Sequence, residues 1–362
     1  MATRVFNFNP GPATLPLEVI EEASRGVAEF QNLGMSILEM SHRAKEFEKV
    51  LNDAIADLRE LLGLPAEYHV IFLGGGASLQ FAMVPMNFLP ADGCADYINT
   101  GEWSSKAIKE AKAMGKVNVL ASSEDKKFSY LPDYKHLAFT PGAAYAHITT
   151  NNTIYGTQYP DYPSTGDIPL VADMSSDILC RVIDPKQFAM IYAGAQKNIG
   201  PAGVTMVIIR EDLLARAKAG VPTMLSYKTY TANNSLYNTP PVFAIYVVGL
   251  VMKWAKNIGG LAEIERRNRA KAGLLYGTID ELSQFYKGTV EKNSRSWMNI
   301  PFRLPSEALE EAFIKEAKAS GLVGLKGHRS VGGIRASLYN AFPQEGVKAL
   351  VDFMREFARK NG

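Results

Sequence analysis

A chain of 362 residues that is 47% hydrophobic and 21% charged holds enough apolar material for a substantial core, and at ~100–200 residues per domain it predicts two or three domains. Its net charge of +2 supplies no general attraction for nucleic acid or an anionic membrane, so any anion site must be local. The only cysteines, Cys94 in GCADY and Cys180 in DILCRV, lack metal-ligand spacing and form no disulfide framework, which points to a reducing compartment.

The amino-terminal MATRVFNFNPGPATLP has no signal-peptide core, and no run reaches the ~18 apolar residues of a membrane span, so the expectation is a cytoplasmic protein with no membrane or nucleic-acid partner. These first residues, rich in Pro and Asn, are expected to return to a smaller unit or to line a cleft. From Ala44 to Leu62, apolar Phe47, Val50, Leu51, Ile55, Leu58 and Leu62 recur at helical spacing, and Gly63 and Pro65 stop the helix. Short apolar runs then alternate with helical patterns: HVIFL, a helix from about Ser78, DYIN, a helix from about Ser105, VNVL, AYAHI, IPLVAD, AMIYA and VTMVIIR. Such alternation predicts an α/β fold, a mainly parallel sheet with helices on both faces. After Asn238 two long helices run to about Phe285, and NIPFRL, IRASL and a helix from about Gln344 form a smaller α/β unit. The boundary is expected at Gly259 or Gly260, giving a large domain over 16–259 and a small one from 1–15 and 260–362.

Three features carry chemistry. In HVIFLGGGASLQF a strand enters three glycines and then a helix, so the free N–H groups at the helix start make a phosphate seat or, alternatively, a tight structural turn. In IPLVADMSSD, Asp173 ends a buried strand, where ligands sit in open α/β sheets; an Asp that caps the next turn is the competing reading. In YAGAQKNIGPAG, Lys197 stands among small uncharged residues, and desolvation there favours the neutral, nucleophilic amine over an ordinary solvated lysine. Phosphate seat, strand-end acid and desolvated lysine are what pyridoxal phosphate (PLP) requires: an anchor, a pyridinium partner and an aldehyde trap. Trp103 in TGEWSSK could stack on a pyridine ring or pack as core, and Thr153 in NNTIYG could meet the ring oxygen or shape a turn. His42 and Arg43 stand at a helix start, where cations are disfavoured unless an anion joins them. Far along, LKGHRSVGGIRASL supplies Lys326, His328, Arg329 and Arg335, the last on the strand face opposite Ile334, Ala336 and Leu338.

The motifs NFNPGPA, SHRAKEF, YAGAQKNIGPAG, YNTPP and GHRSVGGIRAS, spread over essentially the whole chain, resemble the phosphoserine aminotransferase family of class-V aminotransferases. That resemblance implies PLP fold type I: a seven-stranded, mostly parallel sheet in the large domain, a small carboxyl-terminal domain, and a homodimer with active sites shared between subunits. It implies Lys197 as the cofactor-bearing and proton-shuttling lysine, with Asp173 on the pyridine nitrogen, Trp103 stacked and Thr153 on the ring oxygen. Ala77, Ser78 and Gln196, with Asn238 and Thr239 of the second subunit, would bind the cofactor phosphate. Arg335 would take the substrate α-carboxylate, and His42, Arg43, His328 and Arg329 the distal carboxylate or phosphate. The implied substrates are L-glutamate and a phosphorylated 2-oxo acid, in serine and also vitamin B6 biosynthesis. Many members carry a glycine-loop arginine where this chain has Ser78. Two alternatives stand: a cysteine desulfurase-like lyase, which needs a reactive cysteine on an accessible loop, and a non-catalytic phospholigand-binding protein, which has no use for Lys197.

Overall fold

The computed structural model describes residues 4–362. In chain order the elements are β1 (Phe6–Asn7), α1 (Leu17–Ala28), α2 (Lys45–Leu62), β2 (Tyr68–Leu73), α3 (Gly76–Phe88), β3 (Cys94–Asn99), α4 (Glu102–Lys112), β4 (Lys116–Ser122), β5 (Ala146–Thr149), β6 (Leu170–Asp173), β7 (Met190–Gly194) and β8 (Thr205–Arg210). There follow α5 (Glu211–Ala215), α6 (Tyr227–Ala232), α7 (Val242–Asn257), α8 (Gly260–Glu281), β9 (Lys287–Gly288), β10 (Asn299–Arg303), α9 (Glu307–Ala319), β11 (Leu322–Val323), β12 (Ile334–Ser337) and α10 (Gln344–Asn361).

The main sheet has seven strands in the order β2-β8-β7-β6-β5-β3-β4. Only β8 is reversed; it pairs antiparallel with both β2 and β7. The central strands are buried throughout, as strands covered on both faces must be. One face packs on α2 and α7, where Phe47, Leu51 and Leu58 meet Ile245, Val248 and Met252. The other face carries α3 and α4, whose Phe81, Met83, Ala107 and Ile108 pack on Val171 and Tyr192.

Residues Gly11–Ala13 cross to the main sheet, whereas the first strand, β1, pairs with β11 in the carboxyl-terminal unit. That unit holds the three-stranded antiparallel sheet β12-β10-β9 under α8, α9 and α10, around a core rich in aromatic rings such as Phe8, Tyr286, Phe302, Phe313 and Phe357. Between α7 and α8 the chain bends by 84° at Gly259, which has φ +113°, a conformation that favours glycine. Among the described residues no single helix is long and apolar enough to cross a membrane.

The long elements lie where the hydrophobic pattern places them. Helix α2 ends at Gly63, φ +60°, whose N–H returns to the Glu60 carbonyl. Helix α4 begins three residues before the expected Ser105 because Ser104 reaches back: its Oγ accepts from the N–H groups of Thr100 and Gly101. Helices α1 and α9 and the two-residue strands were not read from the sequence.

Candidate active site

Five connections converge at the carboxyl edge of the parallel strands, where open α/β sheets hold their ligands. Strand β2 runs out into the glycine loop, β3 into Trp103, β5 into Thr153, β6 ends on Asp173 and β7 leads to Gln196 and Lys197. Strand order reverses between β3 and β5, so Trp103 and Thr153 follow the two strands that flank the reversal.

Lys197 Nζ donates to Thr153 Oγ1 at 2.7 Å and lies 5.5 Å from the centroid of the Trp103 ring. The residue keeps some access to the cleft, but its amine is enclosed. Burial lowers that amine to a pKa of about 8, with Asp173 pulling it back up and Arg335 pushing it further down. The loop around it is shaped by two glycines. A Cβ on Gly200 would stand 2.7 Å from Val248 of α7, and Gly203 has φ +110°. Gly11 of the amino-terminal segment closes the other side: its Cβ would stand 3.2 Å from Lys197 Cγ.

Asp173 is buried, and burial raises its carboxyl while Lys197 and Ser175 oppose that shift. Ser175 donates to Asp173 Oδ1 from both its N (2.9 Å) and its Oγ (2.6 Å), and accepts from Gly194 N at 3.1 Å. Ser175 thus orients the carboxylate and ties the end of β6 to the strand that delivers Lys197. Sequence reasoning missed this residue; the run of small polar residues in DMSSD was its only signal.

Arg335 lies on β12, buried, with Nη1 donating to the Thr153 carbonyl at 3.2 Å. Its Nε is buried without a protein acceptor, and so is the indole Nε1 of Trp103. Buried donors without acceptors are rare, and two of them beside an enclosed amine mark a site whose acceptors a ligand brings. Burial lowers the Arg335 pKa, but the guanidinium is basic enough to stay charged. The NNTIYG segment also makes the turn that was its competing reading: Gly156 N donates to the Asn152 carbonyl at 2.7 Å.

At the glycine loop, Gly75 (φ +91°) precedes α3, and the first backbone bond is Leu79 N to Gly75 O at 3.3 Å. The N–H groups of Gly76, Ala77 and Ser78 therefore have no helical partner and point their dipoles outward. Ala77 and Trp103 pack on the same apolar cluster, which joins the loop to the cleft. The Gln196 side chain folds over Gly194. Asn238 and Thr239 are exposed and line a separate cavity with Gly74, Leu79 and Gly203. His328 and Arg329 sit on the loop before β12; burial lowers the His328 imidazole, followed by the charges of Arg335 and Arg329. His42 and Arg43 precede α2, and no hydrogen bond or ion pair among the described residues joins them to Lys197, Asp173 or Arg335. His42 Nε2 is buried without a partner. Among the described residues no group of three His, Cys, Asp or Glu side chains could hold a metal ion.

The sequence pattern of the family "Aminotransferase class-V" matches residues 5–350. The chain is 58% identical over 364 residues to the phosphoserine aminotransferase of Desulfosudis oleivorans, covering all of both chains. Its fold is similar to that of the phosphoserine aminotransferase from Bacillus circulans subsp. alkalophilus, with TM-score 0.98, 54% identity and complete coverage of both. It is also similar to the PLP-bound phosphoserine aminotransferase from Trichomonas vaginalis, with TM-score 0.92 and 38% identity over 97% of this chain and 100% of that one. The chain therefore belongs to the class-V aminotransferases, within the phosphoserine aminotransferase family.

Proposed function

We propose that this chain transfers the amino group of L-glutamate to 3-phosphohydroxypyruvate, giving O-phospho-L-serine and 2-oxoglutarate, with PLP seated across the carboxyl ends of β5, β6 and β7. The observation that carries the reading is the Lys197 amine, enclosed and lowered to about 8, facing Thr153 and Trp103 beside the buried Asp173. The residues fit the cofactor: free N–H groups at α3 suit its phosphate, the buried carboxylate its ring nitrogen, and the Trp103 face its ring. Bound there, PLP supplies an aldehyde that takes up the amino group and a protonated ring that accepts electrons from the substrate Cα.

The chain's own groups do the rest. Lys197 would hold the cofactor and carry the proton at the substrate Cα, a task suited to an amine whose pKa lies near neutrality. Asp173, kept in line by Ser175, would hold the ring nitrogen protonated. Thr153 would offer its hydroxyl to the ring oxygen, and Ala77, Ser78 and Gln196 would take the phosphate. Arg335 clamps the α-carboxylate, with His328 and Arg329 toward the distal anion. Asn238 and Thr239 of a second subunit in a homodimer would complete the phosphate site, and His42 and Arg43 would join the distal-anion set. Residues 16–259 act as the large domain and 1–15 with 260–362 as the small one, in the cytoplasm.

The two cysteines separate this reading from a desulfurase. Cys180 is fully buried and its thiol is pushed far up by burial, opposite to the activation a sulfur-transfer cysteine needs, and Cys94 begins β3, at the end of the strand away from Lys197. Added PLP should produce a visible band, and borohydride should fix the cofactor on Lys197; an unlabelled Lys197 peptide would count against the proposal.

Arg335→Ala should cost about 2–4 kcal/mol of transition-state stabilisation, or roughly 30- to 1,000-fold in kcat/KM, for glutamate and the phosphorylated keto acid alike. Unchanged kinetics with both would remove it from the clamp. The lowered Lys197 pKa also predicts a pH dependence of stability. Between pH 8 and 10.5 the folded amine binds fewer protons than the unfolded one, so the cofactor-free protein should gain stability as pH rises through that window. Urea unfolding at about pH 8, 9 and 10 checks this, since Lys197→Met should lose that part of the upward slope.

A further inference from the structure

The glycine loop contributes backbone dipoles but no ionic side chain: from Gly74 to Pro90 the sequence has no charged residue, and position 78 is an exposed serine. A cation stands beside Trp103 on α4 instead. Lys106 follows Trp103 by three positions, which puts both on one face of that helix. Its Nζ lies 4.7 Å from the centroid of the Trp103 ring, the same ring that has Lys197 Nζ at 5.5 Å. One indole therefore holds the enclosed amine and a second ammonium.

That second ammonium is only loosely paired on its own helix. Its acidic neighbour, Glu102, stands 3.5 Å away, longer than a charge-assisted hydrogen bond, and both side chains are partly exposed. The His328 imidazole, lowered by burial and then by Arg335 and Arg329, also feels the opposed charges of Glu102 and Lys106, which brings this end of α4 within electrostatic reach of the loop before β12.

We propose that Lys106 is a specificity residue that holds the distal anion of the substrate, phosphate or carboxylate, from the large-domain side of the cleft, opposite His328 and Arg329. This rests on the transaminase reading above. A lysine suits the task because a point charge on a flexible stem accepts a tetrahedral phosphate and a planar carboxylate alike, whereas a guanidinium fork is matched to fixed geometry.

The test uses the holoenzyme in three forms: wild type, Lys106→Met, which keeps an apolar stem on Trp103, and Lys106→Met combined with Ser78→Arg. Glutarate, an unreactive dicarboxylate, is titrated against the cofactor absorbance. Kinetics are measured with glutamate, with 3-phosphohydroxypyruvate and with alanine, an amino donor that has no distal anion. In Lys106→Met the glutarate Kd and the KM for both anionic substrates should rise about 10- to 50-fold, with kcat within about twofold and kcat/KM for alanine unchanged. Arginine at position 78 should recover about tenfold of that loss, a rescue that packing on Trp103 cannot explain. Values for Lys106→Met within about twofold of wild type would overturn the assignment, as would a loss that extends to alanine and resists rescue. Wild-type protein that converts neither anionic substrate would instead sink the transaminase reading, and Lys106's role with it.

Discussion

Lys197→Ala should reduce transamination by at least about 10⁴-fold, because one side chain is asked both to hold the cofactor and to carry the proton at the substrate Cα. The residues around it predict that this loss is chemical and not structural. The Trp103 ring is carried by α4, the Thr153 carbonyl is held by Arg335, and Ser175 holds the Asp173 carboxylate at the end of β6, all without help from the lysine. The variant should therefore fold and still retain PLP non-covalently through α3 and Asp173, with the absorbance of a free aldehyde. Added methylamine, a small base that fits the space of the missing side chain, should restore part of the rate. A variant that keeps more than about a tenth of wild-type activity would move the proton transfer to another group.

Asp173→Asn should be nearly as severe. The amide keeps the shape of the side chain and removes its charge, so the protonated ring nitrogen would face a buried site with no anion. Breaking a buried pair in this way costs about 3–5 kcal/mol, or roughly 10²- to 10⁴-fold in rate. Ser175→Ala should give a weaker version of the same phenotype, since it deletes one of the two donors to Asp173 Oδ1 and the acceptor of Gly194 N. The distinguishing readout is spectroscopic. Weakened protonation of the ring nitrogen should shift the pH profile of the cofactor band in both variants, and a profile identical to wild type in Asp173→Asn would refute the assignment.

The sheet and the site were legible for the same physical reason. Strands buried on both faces must be apolar, so a polar residue at the carboxyl end of such a run, Asp173 after IPLVA or Lys197 after AMIYAGAQ, stands out against its neighbours. Periodicity is blind to strand direction, so VTMVIIR reads the same whether it runs parallel or, as β8 does, antiparallel to its neighbours. Helix α1 escaped notice because it buries only Val19, Ala23 and Gly26, a face made mostly of small residues. Strands β1 and β11 are two residues long and leave no pattern to read. Ser175 was hidden because orienting serines look like any turn. His42 and Arg43 belong to the expected set, yet no hydrogen bond or ion pair among the described residues joins them to Lys197.

The amino-terminal segment has a consequence for the order in which the molecule can be assembled. Strand β1 needs β11 as its partner, Tyr339 donates to the Pro10 carbonyl at 2.7 Å, and Ala13 N donates to the Gln196 carbonyl at 2.9 Å. These residues are thus among the later ones to find their places, because β11 and Tyr339 are synthesised long after them. Until then the wall that Gly11 builds beside Lys197 is anchored only through Ala13 and Gln196. The seven-stranded sheet can form while the amine remains open to water on that side, and the enclosure that tunes it is complete only when the amino-terminal segment meets β11 and Tyr339.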